Sequence, residues 1–434
     1  MQRDRFMSDE LKIGNINLRE IDLYNFLNKK YSLLGTFTFL DIQEDMFAPV
    51  CSGSIQLLDT SNLLEDFPII GEERLVITYR TAEPFKWVTR EFYVYDVTNK
   101  MKSSDKGFVY TLHFCSVEML KNRTTLVSKS FKNLTPSDIV KTVLTNIIET
   151  KKPLNIEKSF GIYTYIAPHI YPFEVIHSMS NRARSDSHHD GASYLFFENK
   201  NGFNFVSLEE IVKDTPFTYV ARDNNSYDNT NETTRFTSIS AISQTKGFSV
   251  LDSISSGAFG VKTKALDLMT KQLTDISYDH FDDSQYKSMN RINGNNPKLK
   301  MTTSNFKFKS NDGLYKYVVT SSGVGSSFKD KNVSKRYSQL SSYVNGPKVN
   351  IEVNFNSDMT VGRVINLEVM TGHNSDKETE LAQKDSYQTG KYLVTAMRHI
   401  ITLDKATTSM ELSRDSYTAD HEKLTPTRNA RLGL

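Results

Sequence analysis

Alternation with a period of two runs through the first stretch of about 120 residues. Phe108, Tyr110, Leu112 and Phe114 fall on one parity, with Val109, Thr111, His113 and Cys115 on the other. That is the spacing of a strand that covers a core with one face. Leu75, Ile77 and Tyr79 repeat it, while residues 92–97 are apolar on both faces and predict a central strand. The pattern predicts an antiparallel barrel or sandwich.

The period changes between about residues 130 and 215. Thr135-Pro136-Ser137-Asp138 places a cap residue, a proline at the first helical position and an acid behind it, followed by Ile139, Val140, Val143, Leu144 and Ile147 on one helical face. Pro172 opens a second helix with Phe173, Ile176, Met179 and Ala183 inward. A hairpin follows, 194–197 and 203–206, joined through Asn199-Lys200-Asn201-Gly202. These elements predict a small α+β unit.

Residues 222–234 are nearly all Asn, Asp, Ser and Thr, which reads as a solvated boundary. Beyond it, Leu266, Met269, Leu273 and Ile276 predict a helix. Phe306 and Phe308 alternate with Lys307 and Lys309 ahead of Ser310-Asn311-Asp312-Gly313, predicting a hairpin in an inserted, partly exposed region at about 285–345. Strand alternation resumes with Val349, Ile351, Val353 and Phe355, then Ile365, Leu367 and Val369.

The two β-rich parts share an order of features. Gly71 precedes Leu75 to Tyr79, then Phe92-Tyr93-Val94, and Tyr110 lies 18 residues beyond Phe92. Gly362 precedes Ile365 to Val369, then Tyr392-Leu393-Val394, and Ser409 lies 17 residues beyond Tyr392. The echo predicts a duplicated barrel. The expected fold is mainly β with an α+β part: a first barrel over 1–125, an α+β middle domain over 126–234, a second barrel over 235–418 carrying the insertion, and a tail over 419–434.

At 434 residues, the length itself fits about three domains. Lys and Arg number 53 against 51 Asp and Glu, so no global field draws the chain to nucleic acid or an anionic membrane, and its partners read as proteins. Two cysteines, Cys51 and Cys115, make no disulfide framework and fit a reducing compartment. The opening residues lack the apolar core of a secretory signal, and no apolar run approaches the roughly 18 residues of a membrane span. Synthesis and assembly in the cytoplasm, without membrane insertion, are expected.

Candidate chemistry is sparse. His188-His189-Asp190 reads as a solvated loop rather than a metal site, because adjacent side chains diverge and no further ligand stands at the right spacing. His177 and His113 read as ordinary helix and strand histidines. The acidic pairs Glu65-Asp66, Glu209-Glu210 and Asp282-Asp283 are neighbours in sequence and do not define two groups flanking a scissile bond. Gly257 and Gly260 lie in a Ser-rich stretch that reads as a flexible loop. Lys298, Lys300, Lys307 and Lys309 read as a solvated face without stable nucleic-acid binding, and Arg182 and Arg184 could pair with a neighbouring subunit. No residue stands out as catalytic, cofactor-binding or metal-ligating, and a non-enzymatic protein is expected.

Three groups of segments carry a resemblance. They are Thr135-Pro136-Ser137-Asp138-Ile139-Val140; Pro172 to Ile176 with Ser180-Asn181-Arg182-Ala183; and Tyr194 to Asn199 with Gly202-Phe203-Asn204-Phe205. In these the chain resembles the baseplate hub protein of contractile-tailed bacteriophages, of the T-even hub type. Gly390 to Val394, Arg398-His399 and Met410 to Asp415 are similar to the end of the second barrel in hub and late-control tail proteins. The resemblance implies a virion protein forming a homotrimeric ring, with two tube-like barrels per subunit, a tail-tube protein above and a spike protein below. It also implies surrounding baseplate proteins and a lumen for DNA passage at ejection. The other reading, from abundant Tyr, Phe and carboxylates, is a carbohydrate-binding or cell-wall-degrading particle protein.

Overall fold

A computed structural model describes residues 16–61, 63–81, 86–104, 107–188, 191–221, 237–247, 249–258, 260–267, 271–279, 289–290, 315–320, 332–370, 385 and 387–416. The chain is mainly β, built on large antiparallel sheets. The N-terminal part holds β1 (Ile16–Tyr24), β2 (Lys30–Ser32), β3 (Phe37–Asp45), β4 (Ser52–Asp59), β5 (Arg74–Thr81), β6 (Val88–Ser104) and β7 (Gly107–Cys115). The middle holds β8 (Val127–Leu134), β9 (Leu154–Ile156), β10 (Tyr163–Ile170), β11 (Tyr194–Asn199) and β12 (Gly202–Ser207). The remainder holds β13 (Phe217–Ala221), β14 (Ile239–Lys246), β15 (Gly260–Asp267), β16 (Leu273–Asp279), β17 (Tyr315–Thr320), β18 (Lys348–Asn354), β19 (Val364–Val369), β20 (Gly390–Thr402) and β21 (Ala406–Ser413).

The expected alternation is realised in β7, where Tyr110, Leu112 and Phe114 are buried while Val109, Thr111 and His113 are half-buried. β6 is central as expected, with β5 on one edge and β7 on the other. The inward side chains of β1 and β3 to β7 meet in one apolar core that includes Ile21, Leu40, Ile55, Ile77, Phe92 and Phe114.

The strand order repeats. In the N-terminal part, neighbours run β3-β4-β7-β6-β5-β1; in the C-terminal part, they run β14-β18-β21-β20-β19-β13. Replacing each strand of the first series by its counterpart in the second gives the same path. Irregularities repeat as well: β3 bulges between Phe37 and Phe39 and β14 between Ile239 and Ala241, while β6 bulges between Val94 and Asp96 and β20 between Val394 and Ala396. Bulges redirect a strand and fix its register, so their recurrence at matching points is a stronger sign of likeness than strand count. One departure is clear: β1 lies antiparallel to β5, whereas β13 lies parallel to β19 and reaches back toward β14 through the parallel bridge Val220–Ser238.

The middle elements form as their local signals dictate. The Thr135 hydroxyl accepts from the Asp138 N–H at 3.2 Å and starts the helix Pro136–Thr142, which runs into a wider turn over Val143–Ile147. The helix Pro172–Ser180 packs on it, with Val175, Ile176 and Met179 buried. β11 and β12 form the expected hairpin, and Gly202 is required there: its φ is +122°, and a Cβ would stand 2.2 Å from the Pro153 carbonyl oxygen. The hairpin serves two cores, with Tyr194, Phe203 and Phe205 turned to the helices and Leu195, Phe197 and Val206 turned to the C-terminal sheet.

Three expectations need correction. The helix expected around Leu266, Leu273 and Ile276 is instead a pair of antiparallel strands, β15 and β16, in which Leu266 and Leu273 are exposed and Val261, Ile276 and Tyr278 are buried. The Ser-rich stretch expected to be a flexible loop carries the helix Val250–Ser255, with the Ser249 hydroxyl accepting from the Asp252 N–H at 3.3 Å. The last part of the inserted, partly exposed region, where a hairpin alone was expected, is the helix Asn332–Val344, whose Ser334, Ser338 and Gln339 are buried. It packs on β15 through Ser334 and Thr263, 2.6 Å apart, and on the middle hairpin through Arg336, which donates to the Tyr194 carbonyl at 2.5 Å. The expected hairpin at Phe306 and Phe308, the boundary at 222–234 and the tail 419–434 lie outside the described residues.

Candidate functional site: the seam between the two sheets

The two similar sheets are joined into one by β20. Its first residues, Gly390 to Leu393, pair with β19, and Ala396 to Thr402 pair antiparallel with Asp45 to Phe39 of β3. Backbone pairing across this seam links residues more than 350 positions apart; beside it, Arg398 Nε donates to Asp41 Oδ1 at 2.7 Å.

Buried polar groups lock the same seam. Arg90 Nη1 donates to Glu44 Oε1 at 2.6 Å, and both side chains are withdrawn from solvent. The other carboxylate oxygen accepts from the Thr360 hydroxyl at 2.7 Å and the Val361 N–H at 3.2 Å. Burial works against the charge on Arg90, but acidic neighbours including Glu44 outweigh it and hold its pKa high. Thr81 and Ser357 bond reciprocally, each hydroxyl accepting from the other residue's N–H, at 3.1 and 2.7 Å. His399 packs against the rings of both Tyr79 and Phe355, which also touch each other, and its Nδ1 stands 2.9 Å from the Thr408 hydroxyl. Burial, with the positive charges of Arg90 and Lys200 behind it, pushes the His399 pKa down to about 3, so the ring is neutral.

A second joint ties in the middle elements. The Cys51 N–H donates to Glu198 Oε2 at 3.0 Å. Lys152 Nζ bridges Glu198 and Glu118 at 2.7 and 2.8 Å. Beyond it opens a polar cleft of about 540 Å³, lined among others by Asn155, Asn204, Lys200, Asp358 and Arg363. Its charges pair with one another: Lys200 with Asp358 at 2.7 Å, and Arg363 with Asp358 at 3.3 Å and Asp214 at 3.6 Å. Burial pulls the Lys200 pKa down, while Lys200 and Arg363 outweigh burial on Asp358 and hold it below the usual range.

These groups act mechanically. A buried ion pair with all its lone pairs used contributes little net stability, but it penalises any arrangement that separates the partners. The seam therefore fixes how the two sheets and the middle hairpin sit on one another.

Of the residues weighed from sequence, Cys51 belongs to the second joint and Glu210 lines the cleft, while the others lie elsewhere. His188 Nε2 contacts the Glu210 carboxylate and lowers its pKa, while desolvation raises that of the half-buried Glu209, so the two adjacent acids do diverge. His177 is exposed, and His113 Nε2 stands 2.9 Å from the Thr98 hydroxyl. Arg182 and Arg184 lie over the rings of Tyr165 and Phe160 at 4.9 and 4.4 Å. His189, Asp190, Asp282, Asp283 and the run Lys298 to Lys309 lie outside the described residues. Among the described residues, no group of three His, Cys, Asp or Glu could hold a metal, and no helix is long and apolar enough to cross a membrane. Sequence reading missed Glu44, Arg90 and Glu198. Their only signal is a charge on a strand whose neighbours on the same face are apolar.

No protein-family model matches the chain. It is 22% identical over 424 residues to a probable baseplate hub protein of Vibrio phage KVP40, covering 93% of this chain and 94% of that one. Among solved structures, it is similar to a tail protein from Neisseria meningitidis MC58, with a TM-score of 0.56 and 12% identity over 91% of this chain and 96% of that one. It is also similar to the 43 kDa tail protein of prophage MuSo2 from Shewanella oneidensis, with a TM-score of 0.54 and 10% identity over 91% and 98%. The chain thus has the fold of phage tail proteins and, along nearly its whole length, the sequence likeness of a baseplate hub protein.

Proposed function

We propose that the chain is a structural, non-enzymatic subunit of a phage tail baseplate hub, forming a homotrimeric ring between the six-fold tail tube and the three-fold spike. The observation that carries this reading is the repeated strand order, β3-β4-β7-β6-β5-β1 against β14-β18-β21-β20-β19-β13. Three chains with two similar sheets each present six similar units, so one face abuts a six-fold tube protein while the other keeps the three-fold symmetry of a spike. The seam supports this by holding the two sheets of a chain at one fixed setting.

In this reading, 1–125 and 235–418, the latter joined at its edge by β13 (Phe217–Ala221), are the tube-like domains, and the rest of 126–234 is the peripheral domain. DNA passes through the lumen at ejection without being held, and the subunit assembles in the host cytoplasm before joining the virion. The carbohydrate reading draws no support from the cleft, where Lys200, Asp358, Arg363 and Asp214 pair with one another. Sedimentation of the purified chain, alone and with its spike protein, tests the proposal. Three times the 49.5 kDa chain mass is expected, rising by a spike trimer on mixing; a chain that stays monomeric in both samples contradicts it.

A further inference from the structure

The repeat specifies what meets at the subunit boundary. Within the chain, β20 is paired by β21 on one edge; on its other edge it is paired first by β19, to Leu393, and then by β3, from Ala396 onward. Its counterpart β6 is paired by β7 on one edge and by β5 on the other, but β5 reaches only from Val88 to Tyr93. Among the described residues, no strand takes the place of β3 along that second edge beyond Tyr93.

The complementary half is also open. β3 is held between β4 and β20, and Leu40, Asp41 and Ile42 are buried. Among the described residues, its counterpart β14 is paired by β18 alone, and residues 240–245 are exposed, Ile242 among them. A long open edge carrying apolar side chains invites pairing unless it is blunted, and β14 has no proline and a single lysine at its end.

We infer that β6 of one copy pairs antiparallel with β14 of the next, reproducing between chains the β20–β3 pairing within the chain. The inference rests on the ring reading and names the surface that closes the ring. The register follows from the two shared ladders. Val94 faces Phe114 as Val394 faces Leu412; stepping along each ladder, Met101 faces Val109 as Ile400 faces Thr407, so Met101 stands where Ile400 stands. Gly53 faces Phe114 as Val349 faces Leu412, and from there Asp41, opposite Ser54, corresponds to Ser243, opposite Asn350. Ile400 pairs with Asp41, so Met101 pairs with Ser243 of the next copy. Thr98, in the place of Arg398, approaches the same serine, and a hydroxyl pair stands where the chain has its Arg398–Asp41 ion pair. Because the surface on one copy differs from that on the next, the contact is head-to-tail and closes only as a ring. Backbone ladders supply the attachment and side chains the register, as in other strand additions.

Directly opposed residues of an antiparallel ladder lie about 4.5–5.5 Å apart at Cα, within disulfide reach. The test is the full-length chain carrying Met101→Cys and Ser243→Cys together, oxidised and run without reductant, with each single variant as control. Mass and amide exchange of the unmodified chain are measured alongside. The expected result is a trimer, a dimer and trimer ladder in the double variant only, and slowed exchange at those amides of 240–246 that point away from β18, about 100-fold or more relative to an unstructured chain. A trimer with no cross-link and free exchange at the amides of 240–246 that point away from β18 overturns the strand pairing and leaves the ring standing. A monomer at every concentration overturns both.

Discussion

Glu72 and Gly362 hold the same backbone conformation at the same point of the two sheets. Their φ angles are +70° and +79°, and each N–H donates to the valine carbonyl that precedes the shared bulge, Val94 at 2.8 Å and Val394 at 3.0 Å. Each valine returns the bond to the next residue of the turn, Glu73 or Arg363, at 2.9 and 3.0 Å. A left-handed turn that feeds a bulged central strand is thus built twice, once with a residue that pays for it in strain.

That difference predicts opposite responses. Glu72 is exposed and non-glycine at positive φ, so Glu72→Gly relieves strain and stabilises by about 1 kcal/mol. Gly362→Ala adds strain, and its new Cβ stands 2.8 Å from the Phe197 ring, so a loss of about 1–3 kcal/mol is expected. Chemical denaturation of both variants checks the signs.

Arg90 and Glu44 predict a large and asymmetric cost. Replacing Arg90 by Met leaves a buried carboxylate with two donors and no cation, and is expected to cost about 3–5 kcal/mol. Combining it with Glu44→Gln removes the stranded charge and recovers part of the loss. A double-mutant cycle in urea measures both.

His399 predicts an acid sensitivity. Its folded pKa, about 3, lies below the ordinary value of 6.5, so below pH 6.5 the unfolded chain binds a proton that the folded chain refuses. Its contribution to stability is complete above pH 6.5 and falls steadily as the pH drops toward 3. Between pH 6.5 and 5 the loss from this one group is about 2 kcal/mol. Unfolding midpoints at the two pH values, compared with those of His399→Leu, isolate it: the variant lacks this part of the slope.

Cys51 and Cys115 are buried, and burial raises both thiols, Cys51 well above its ordinary range and Cys115 to about 11. Neither is a reactive thiolate at neutral pH. Iodoacetamide at pH 8 is expected to leave the native chain unmodified and to label both sites in denaturant, as read by mass spectrometry.

Local structure was legible where a side chain acts on its own neighbourhood. The Thr135–Asp138 cap, the Pro172 start and the hairpin closing at Gly202 all formed as their residues dictate, as did the alternation in β7. The helix Asn332–Val344 was hidden because it buries hydroxyls on backbone carbonyls, Ser338 on Ala258 at 2.7 Å and Ser341 on Ser256 at 2.9 Å, rather than an apolar stripe. Leu266, Leu273 and Ile276 gave a false helical period because they sit on two paired antiparallel strands. The seam was out of reach altogether: Ala396 to Thr402 read as a strand, but nothing local names β3 as the partner, and the Glu44 and Arg90 charges gain their meaning only from that pairing.

Imaging the purified hub down its axis by electron microscopy bears most directly on the central claim. A ring of three chains showing six nearly equivalent lobes is expected; three lobes, or six that differ as strongly as unrelated domains, contradicts it.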